Sequence, residues 1–238
     1  MRYTKIVRGS FKERPDRFVA VVEVNGELQK VHVKNTGRCR ELLVPGAQVV
    51  LEDFDCRMGA RKMRYSLVGV IKETDEGPLM INMDSQAPNQ VVREALESGL
   101  LQLPGFGRAV SVRWEYRYGD SRIDFYMENE EGRCGLMEVK GVTLEHAGVA
   151  RFPDAPTERG IKHIRELETA QAEGYYTAIL FVIQMKGIRE FRPNDDTHRA
   201  FGDALREAAA KGVNVLAYDC IAGEDELVLD REVSVELD

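Results

Sequence analysis

The chain has 238 residues, 43% of them apolar, and a formal net charge of −7. That length and composition suit a folded protein with a sizeable core, arranged as one large domain or two modest ones, and exclude a disordered chain. No run approaches the roughly 18 consecutive apolar residues of a membrane helix, and Met1-Arg-Tyr-Thr-Lys-Ile-Val-Arg8 has no signal-peptide core, so a cytoplasmic protein without a membrane partner is expected.

The first 85 residues read as short β-prone runs at 4–11, 18–24, 28–33, 48–54 and 65–72, separated by turn residues. Asn25-Gly26 between the second and third is a strong hairpin signal. Five short strands in this length favour a small closed or partly closed β-barrel, for which an OB-like fold is one economical answer. Up to Ser85 the charge is +3, and the remainder carries −10, so the acidity belongs to the second half. Arg57, Arg61, Lys62 and Arg64 form a basic inter-strand loop, and Arg2, Lys5, Arg8, Lys12, Arg14 and Arg17 a second basic series. Basic loops on a small barrel suit the backbone of a nucleic acid.

A domain boundary is expected near residue 85, giving domains 1–85 and 86–238. Beyond it, 89–96 reads as an amphipathic helix, 110–116 as a strand, 122–127 and 136–140 as a hairpin, and 158–172 as a helix stopped by Gly174. The apolar run 176–183, a helix at 197–210 and a strand at 213–218 complete an alternation that predicts a mixed α/β sheet with parallel members. Cys39, Cys56, Cys134 and Cys220 have no close Cys-x-x-Cys spacing, which suits reduced structural thiols.

The hairpin carries the chemistry. A turn centred near Glu131 places Asp124 across from Glu138, with Lys140 two residues on. The odd positions Ile123, Phe125, Met127, Met137 and Val139 make an apolar face and the even positions a charged one. Two facing carboxylates repel unless a cation lies between them. That calls for a divalent metal, a neighbouring lysine, or both.

An Asp on one strand and Glu-x-Lys on the next, with a helix before and a helix-strand crossover after, resemble the PD-(D/E)XK nuclease fold. The resemblance implies Asp124 and Glu138 as carboxylates for Mg²⁺ or Mn²⁺, Lys140 as the residue that assists the attacking water, and Glu94 on the preceding helix as a further metal ligand. Arg122-Ile123 stands where a Pro-Asp is expected.

Asn35-Thr-Gly37, Val44-Pro-Gly46, Ser121-Arg-Ile-Asp-Phe125, Glu138-Val-Lys-Gly-Val-Thr143, Phe152-Pro-Asp-Ala155 and Thr157-Glu-Arg-Gly-Ile-Lys-His163 resemble the sugar fermentation stimulation protein family across nearly the whole chain. The resemblance implies an N-terminal OB-like β-barrel followed by a PD-(D/E)XK nuclease-like α/β domain. It also implies a DNA-binding protein of low sequence preference linked to maltose metabolism.

Arg159, Lys162, His163 and Glu166 recur at helical spacing and offer a further phosphate-binding face. Gly160 near the start of that helix suggests close approach by a backbone or a ligand, and Asp154 in the preceding loop is expected to cap the helix, the alternative being support of the metal shell. No dinucleotide fingerprint, P-loop or basic recognition helix is present, so a nucleotide cofactor or a sequence-specific repressor is not supported. Two readings remain: a DNA-binding regulatory factor that keeps a nuclease-type metal site, and an active metal-dependent nuclease acting on DNA or RNA.

Overall fold

The computed structural model describes residues 1–35 and 37–238; Thr36, inside the Asn35-Thr-Gly37 motif, lies outside the described residues. Six strands open the chain: β1 (Ile6–Glu13), β2 (Val19–Val24), β3 (Glu27–Val33), β4 (Gln48–Asp53), β5 (Tyr65–Thr74) and β6 (Gly77–Asn82). They hydrogen-bond in the order β3-β2-β1-β4-β5-β6, and a parallel contact of β3 with β5 closes the first five into the expected barrel. Asn25 and Gly26 both take positive φ, 52° and 84°, which gives the β2–β3 turn the twist its strands need. Ala20, Val22 and Val24 point inward at period two. The sixth strand was not among the expected runs: it begins Gly77-Pro78, a poor strand start that an edge position tolerates.

The rest of the chain runs α1 (Ala87–Glu97), β7 (Ala109–Tyr118), β8 (Ser121–Asn129), β9 (Cys134–Val142), β10 (Leu144–His146), β11 (Val149–Phe152), α2 (Glu158–Ala172), β12 (Tyr176–Ile183), β13 (Glu190–Pro193), α3 (Asp195–Ala210), β14 (Asn214–Ala222), β15 (Leu227–Glu232) and β16 (Ser234–Val235). The main sheet has the order β15-β14-β12-β9-β8-β7, with β9, β12 and β14 parallel. The short strands β10, β11, β13 and β16 make a second sheet. Every residue of β12 is buried, as a central parallel strand covered on both faces requires.

Val91, Val92 and Leu96 of α1 pack on one face of the main sheet against Phe125, Met137, Val139 and Leu180. Ile164 and Leu167 of α2 and Phe201 and Leu205 of α3 pack on the other, against Leu136, Ile179 and Phe181. Each such side chain, fully buried, contributes about 1.5–3 kcal/mol relative to exposure. These two layers fix β9, and with it Glu138 and Lys140, in the middle of the sheet.

Helix α2 is capped by Thr157, whose Oγ1 accepts from the Gly160 N–H at 3.1 Å. Asp154 lies three residues too early to do so and plays no part in the cap. A Cβ on Gly160 would stand 3.0 Å from Phe201 Cε2, so the close approach at this glycine is by a side chain of α3. Helix α3 starts at Asp195, two residues before the expected start, and is broken at His198. Among the described residues no helix is long and apolar enough to cross a membrane.

Candidate metal centre

Strands β8 and β9 pair as Phe125–Met137, Tyr126–Leu136, Met127–Gly135 and Glu128–Cys134, a hairpin centred on Glu131. The Asn129 side chain ties the turn by accepting from the N–H groups of Glu131 and Arg133. Continued by one pair, this register sets Asp124 opposite Glu138, as the sequence spacing requires. The recorded ladder ends one pair short of it. Asp124 Oδ2 accepts the Val139 N–H at 2.8 Å in place of a strand carbonyl, and Oδ1 accepts from Asn89 Nδ2 of α1 at 2.8 Å.

The odd positions do not share one face. Phe125, Met127, Met137 and Val139 lie in the α1 layer, but Ile123 lies in the layer under α2 and α3. The side-chain alternation of β8 therefore skips at Asp124. Its counterpart on β7 is Glu115, between the pairs Trp114–Phe125 and Tyr116–Ile123, and Glu115 has φ of 52°, a left-handed conformation uncommon for a residue with a Cβ. Asp124 is thereby bonded to α1 through Asn89 and Glu138 to α2 through His163, and the two carboxylates stay close enough for the charge of Glu138 to act on Asp124.

Glu138 is 2% exposed. Its Oε1 accepts hydrogen bonds from Lys140 Nζ and from His163 Nδ1 on α2, whereas its Oε2 is buried with no hydrogen-bond partner. Burial pushes the Glu138 carboxyl up, but His163 and Lys140 together outweigh it and hold the group below the usual range. For Asp124 the balance goes the other way: burial first and the charge of Glu138 second raise its carboxyl. Two neighbouring carboxylates, one of them with a buried unpartnered oxygen, have a single ammonium, that of Lys140, bonded beside them, a setting that favours a further cation. Carboxylate oxygens are the donors that Mg²⁺ or Mn²⁺ prefers, so the residues fit a hard divalent cation.

Glu94 lines the same cleft as Asp124, yet its carboxylate is held 2.7 Å from the amino terminus of Met1 and accepts from Gln90. Among the described residues no group of three His, Cys, Asp or Glu side chains lies close enough to hold a metal, so the three expected carboxylates are not drawn into one cluster.

His163 is not on an outward face. It is 4% exposed, and Arg159 Nε approaches its Nε2 at 3.3 Å, which places the ring proton on Nδ1, facing Glu138. Arg159 and Lys162 are exposed, the latter 3.7 Å from Glu166. In the barrel loop, Arg64 makes a two-pronged bond to Asp53 at 2.7 and 2.9 Å. Arg57 and Arg61 stack over Phe54, at 4.8 and 3.6 Å from its centroid, and Arg57 reaches Glu52. Lys62 is exposed. Of the four basic residues of this loop, Arg57 and Arg64 are thus paired with its own acids, while Arg61 donates to Ser66.

Residues that sequence reasoning did not single out lie nearby. Exposed Arg38 and Arg40 line a groove on the barrel with Lys12, Arg14 and Arg17. Arg14 ties the groove together by donating to the carbonyls of Gly37, Arg38, Arg17 and Asn35. Lys12, Arg14 and Arg17 precede Arg38 and Arg40 by 21 to 28 positions, with β2 and β3 between, so only the fold assembles them. Trp114 lines the cleft beside Asp124 and Asn89.

A family model described as the sugar fermentation stimulation protein RE domain matches residues 86–226, and one described as the SfsA N-terminal OB domain matches residues 13–79. The chain is 50% identical over 237 residues to a sugar fermentation stimulation protein homolog of Desulfitobacterium hafniense, covering 100% of this chain and 99% of that protein. It is 49% identical over 237 residues to one from Ruminiclostridium cellulolyticum, covering 100% of both. A solved structure, that of Pyrococcus furiosus SfsA in complex with Ca²⁺, superposes with a TM-score of 0.85 over 99% of this chain and 98% of that one, at 26% identity.

Proposed function

This chain belongs to the sugar fermentation stimulation protein family, and from that premise we propose that it binds DNA with little sequence preference and hydrolyses phosphodiester bonds at a divalent-cation site formed by Asp124 and Glu138. The observation that carries this reading is the buried, unpartnered Oε2 of Glu138 beside the raised carboxyl of Asp124. The P. furiosus relative was solved with Ca²⁺, another hard cation with the same preference for oxygen. Two carboxylates are enough, because Mg²⁺ keeps several waters and takes the rest of its ligands from substrate phosphate.

Bound there, Mg²⁺ or Mn²⁺ supplies Lewis-acid polarisation of a phosphoryl group and a bound water of lowered pKa. The chain does the rest. Asn89 and the Val139 N–H orient Asp124, and His163 orients Glu138. Lys140 brings an ammonium to the same place, where it offsets charge that develops on a phosphate. Arg38 and Arg40 on the barrel, with Arg159 and Lys162 on α2, hold the DNA backbone, and the division between barrel and α/β domain falls near residue 85.

A second reading keeps the DNA binding and drops turnover, with an effect on sugar metabolism through gene regulation. It is favoured by the name of the relatives and by Lys140, which already gives Glu138 one cationic partner. Calorimetric titration with Mn²⁺ separates a working cation site from a neutralised one: the wild type is expected to bind one ion and Glu138→Gln none. Equal binding by both proteins removes Glu138 from the site. DNA affinity is expected to fall steeply with salt, with a logarithmic slope of about −3 to −4 for roughly four phosphate contacts; a flat response removes the backbone contacts.

A further inference from the structure

Trp114 is the sole tryptophan of the chain, and on β7 the residue is 52% exposed. It packs into neither hydrophobic layer. It lines a cleft of about 600 Å³ whose other walls include Asn89, Arg93 and Asp124. A large ring left half in water forgoes burial that aromatic side chains normally supply to a core. Its partner is a cation: the Arg93 guanidinium lies over the ring, 4.0 Å from the centroid, and is held from behind by Glu97 at 2.9 Å.

The backbone accounts for this arrangement. Trp114 pairs with Phe125, so under regular alternation Asp124 would face the opposite side of the sheet from Trp114. The skip at Asp124 and the left-handed Glu115 beside it bring the carboxylate to the α1 side, where the indole is. The strained residue directly across from Asp124 is Glu115, itself exposed, and the skip there seats Ile123 and Tyr116 in the layer under α2 and α3. It also sets an open aromatic face beside Asp124, one of the two carboxylates of the proposed cation site.

We propose that Trp114 is a base-stacking platform of this site and that the preferred substrate is DNA with an unpaired base next to the scissile phosphate. The proposal rests on the reading of Asp124 and Glu138 given above and adds to it the strand form. Every nucleobase offers a π-face, so stacking on an indole is tolerant of sequence. In a duplex those faces are occupied by neighbouring pairs, and a base reaches the ring only where it is already unpaired or is turned out. Arg93 occupies the ring as a planar cation does; an incoming base replaces it there, and the guanidinium, still tethered to Glu97, is released toward the adjoining phosphate.

The full chain, kept in EDTA so that no cleavage occurs, is titrated into a fluorescein-labelled single strand and into the blunt duplex of the same sequence. Anisotropy is read for wild type, Trp114→Phe and Trp114→Ala, with circular dichroism to check folding. Trp114→Ala is expected to lose about ten-fold in single-strand affinity, Trp114→Phe to lose less, and neither to change duplex affinity. In the wild type, tryptophan fluorescence comes from this ring alone and is expected to be quenched as the single strand saturates.

Unchanged single-strand affinity in Trp114→Ala, or saturation without quenching, overturns the platform and leaves the cation site standing. If Trp114→Ala does not fold, quenching in the wild type and the affinity of Trp114→Phe decide. A wild type that binds neither DNA removes the DNA-binding reading itself, and the platform with it.

Discussion

His163 and Glu138 are joined between α2 and β9: the ring Nδ1 donates to Oε1 of the carboxylate, and the same carboxylate leaves Oε2 buried without a partner. One oxygen is thus fixed by the helix while the other is directed by that fixation. Replacing His163 by Ala removes a charge-assisted bond and opens space in the core, at a cost of about 3 kcal/mol. The melting temperature is expected to fall by about 6–12 °C, and Mn²⁺ affinity to fall with it. His163→Gln, which can still donate to Glu138, is expected to restore part of both. A variant with unaltered melting and cation affinity would remove His163 from any positioning role.

Asp124 sets the pH response of the cation-free site. Burial and the neighbouring Glu138 raise its carboxyl in the folded chain above the unfolded value, so its stabilising share is full below about pH 3.9 and is lost as the pH rises through the folded value. At pH 7 the ionised group is therefore a burden. Asp124→Asn is expected to melt higher than wild type at pH 7 without metal, with the gap closing as the pH is lowered toward 4. Saturating Mn²⁺ should reverse the order, since a ligand at a hundred-fold excess over its Kd adds about 2.7 kcal/mol to the protein that binds it. A lower melting temperature for the metal-free variant at pH 7 would show that the hydrogen bonds from Asn89 and Val139 dominate instead.

The main outline was legible in the chain. Asn25-Gly26 and the alternating valines located the β2–β3 hairpin, and the spacing of 124 and 138 about Glu131 predicted the register later seen in the strand pairs. Other features depended on tertiary contacts. β6 and β13 were missed because Pro78 and Pro193 sit within them, and β10 because three residues carry no period. His163 looked like part of an outward helical face, since nothing local says that Glu138 lies beneath it. The face change at Asp124 was hidden because Glu115 is not a glycine. Glu94 could not be known to pair with the amino terminus, which is distant in the chain and close in space.

Glu115 gives a direct test of the strained backbone. A left-handed residue with a Cβ costs roughly 1–2 kcal/mol, which Gly avoids while adding unfolded-chain entropy of about 0.5–1 kcal/mol. Glu115→Gly is expected to be stabilised by about 0.5 kcal/mol. Glu115→Val, a better strand former elsewhere, is expected to be destabilised by more than about 1 kcal/mol. Chemical denaturation measures both. The opposite order would mean that φ at this position is not held positive.

Asp53 anchors the basic barrel loop. Bonds from Arg64 first, against the effect of burial, and then from Lys5 and the Asp55 N–H hold its carboxyl well below the usual carboxylate range. Its stabilising share is therefore present above about pH 3.9 and is lost as the pH falls below it. Asp53→Asn is expected to cost about 1–3 kcal/mol at pH 7, and the difference from wild type should shrink in acid. A constant difference across pH would assign the effect to packing.

Cleavage of labelled DNA tests the central claim most directly. Single-stranded, duplex and branched DNA are incubated with wild type, Asp124→Asn and Glu138→Gln in Mg²⁺, in Mn²⁺ and in EDTA. The account predicts cleavage by the wild type that requires the cation, favours DNA with unpaired bases, and is lost in both variants. Wild type and variants equally inert on every substrate and with either cation, while all three still bind DNA, would contradict it and leave the protein a binder alone.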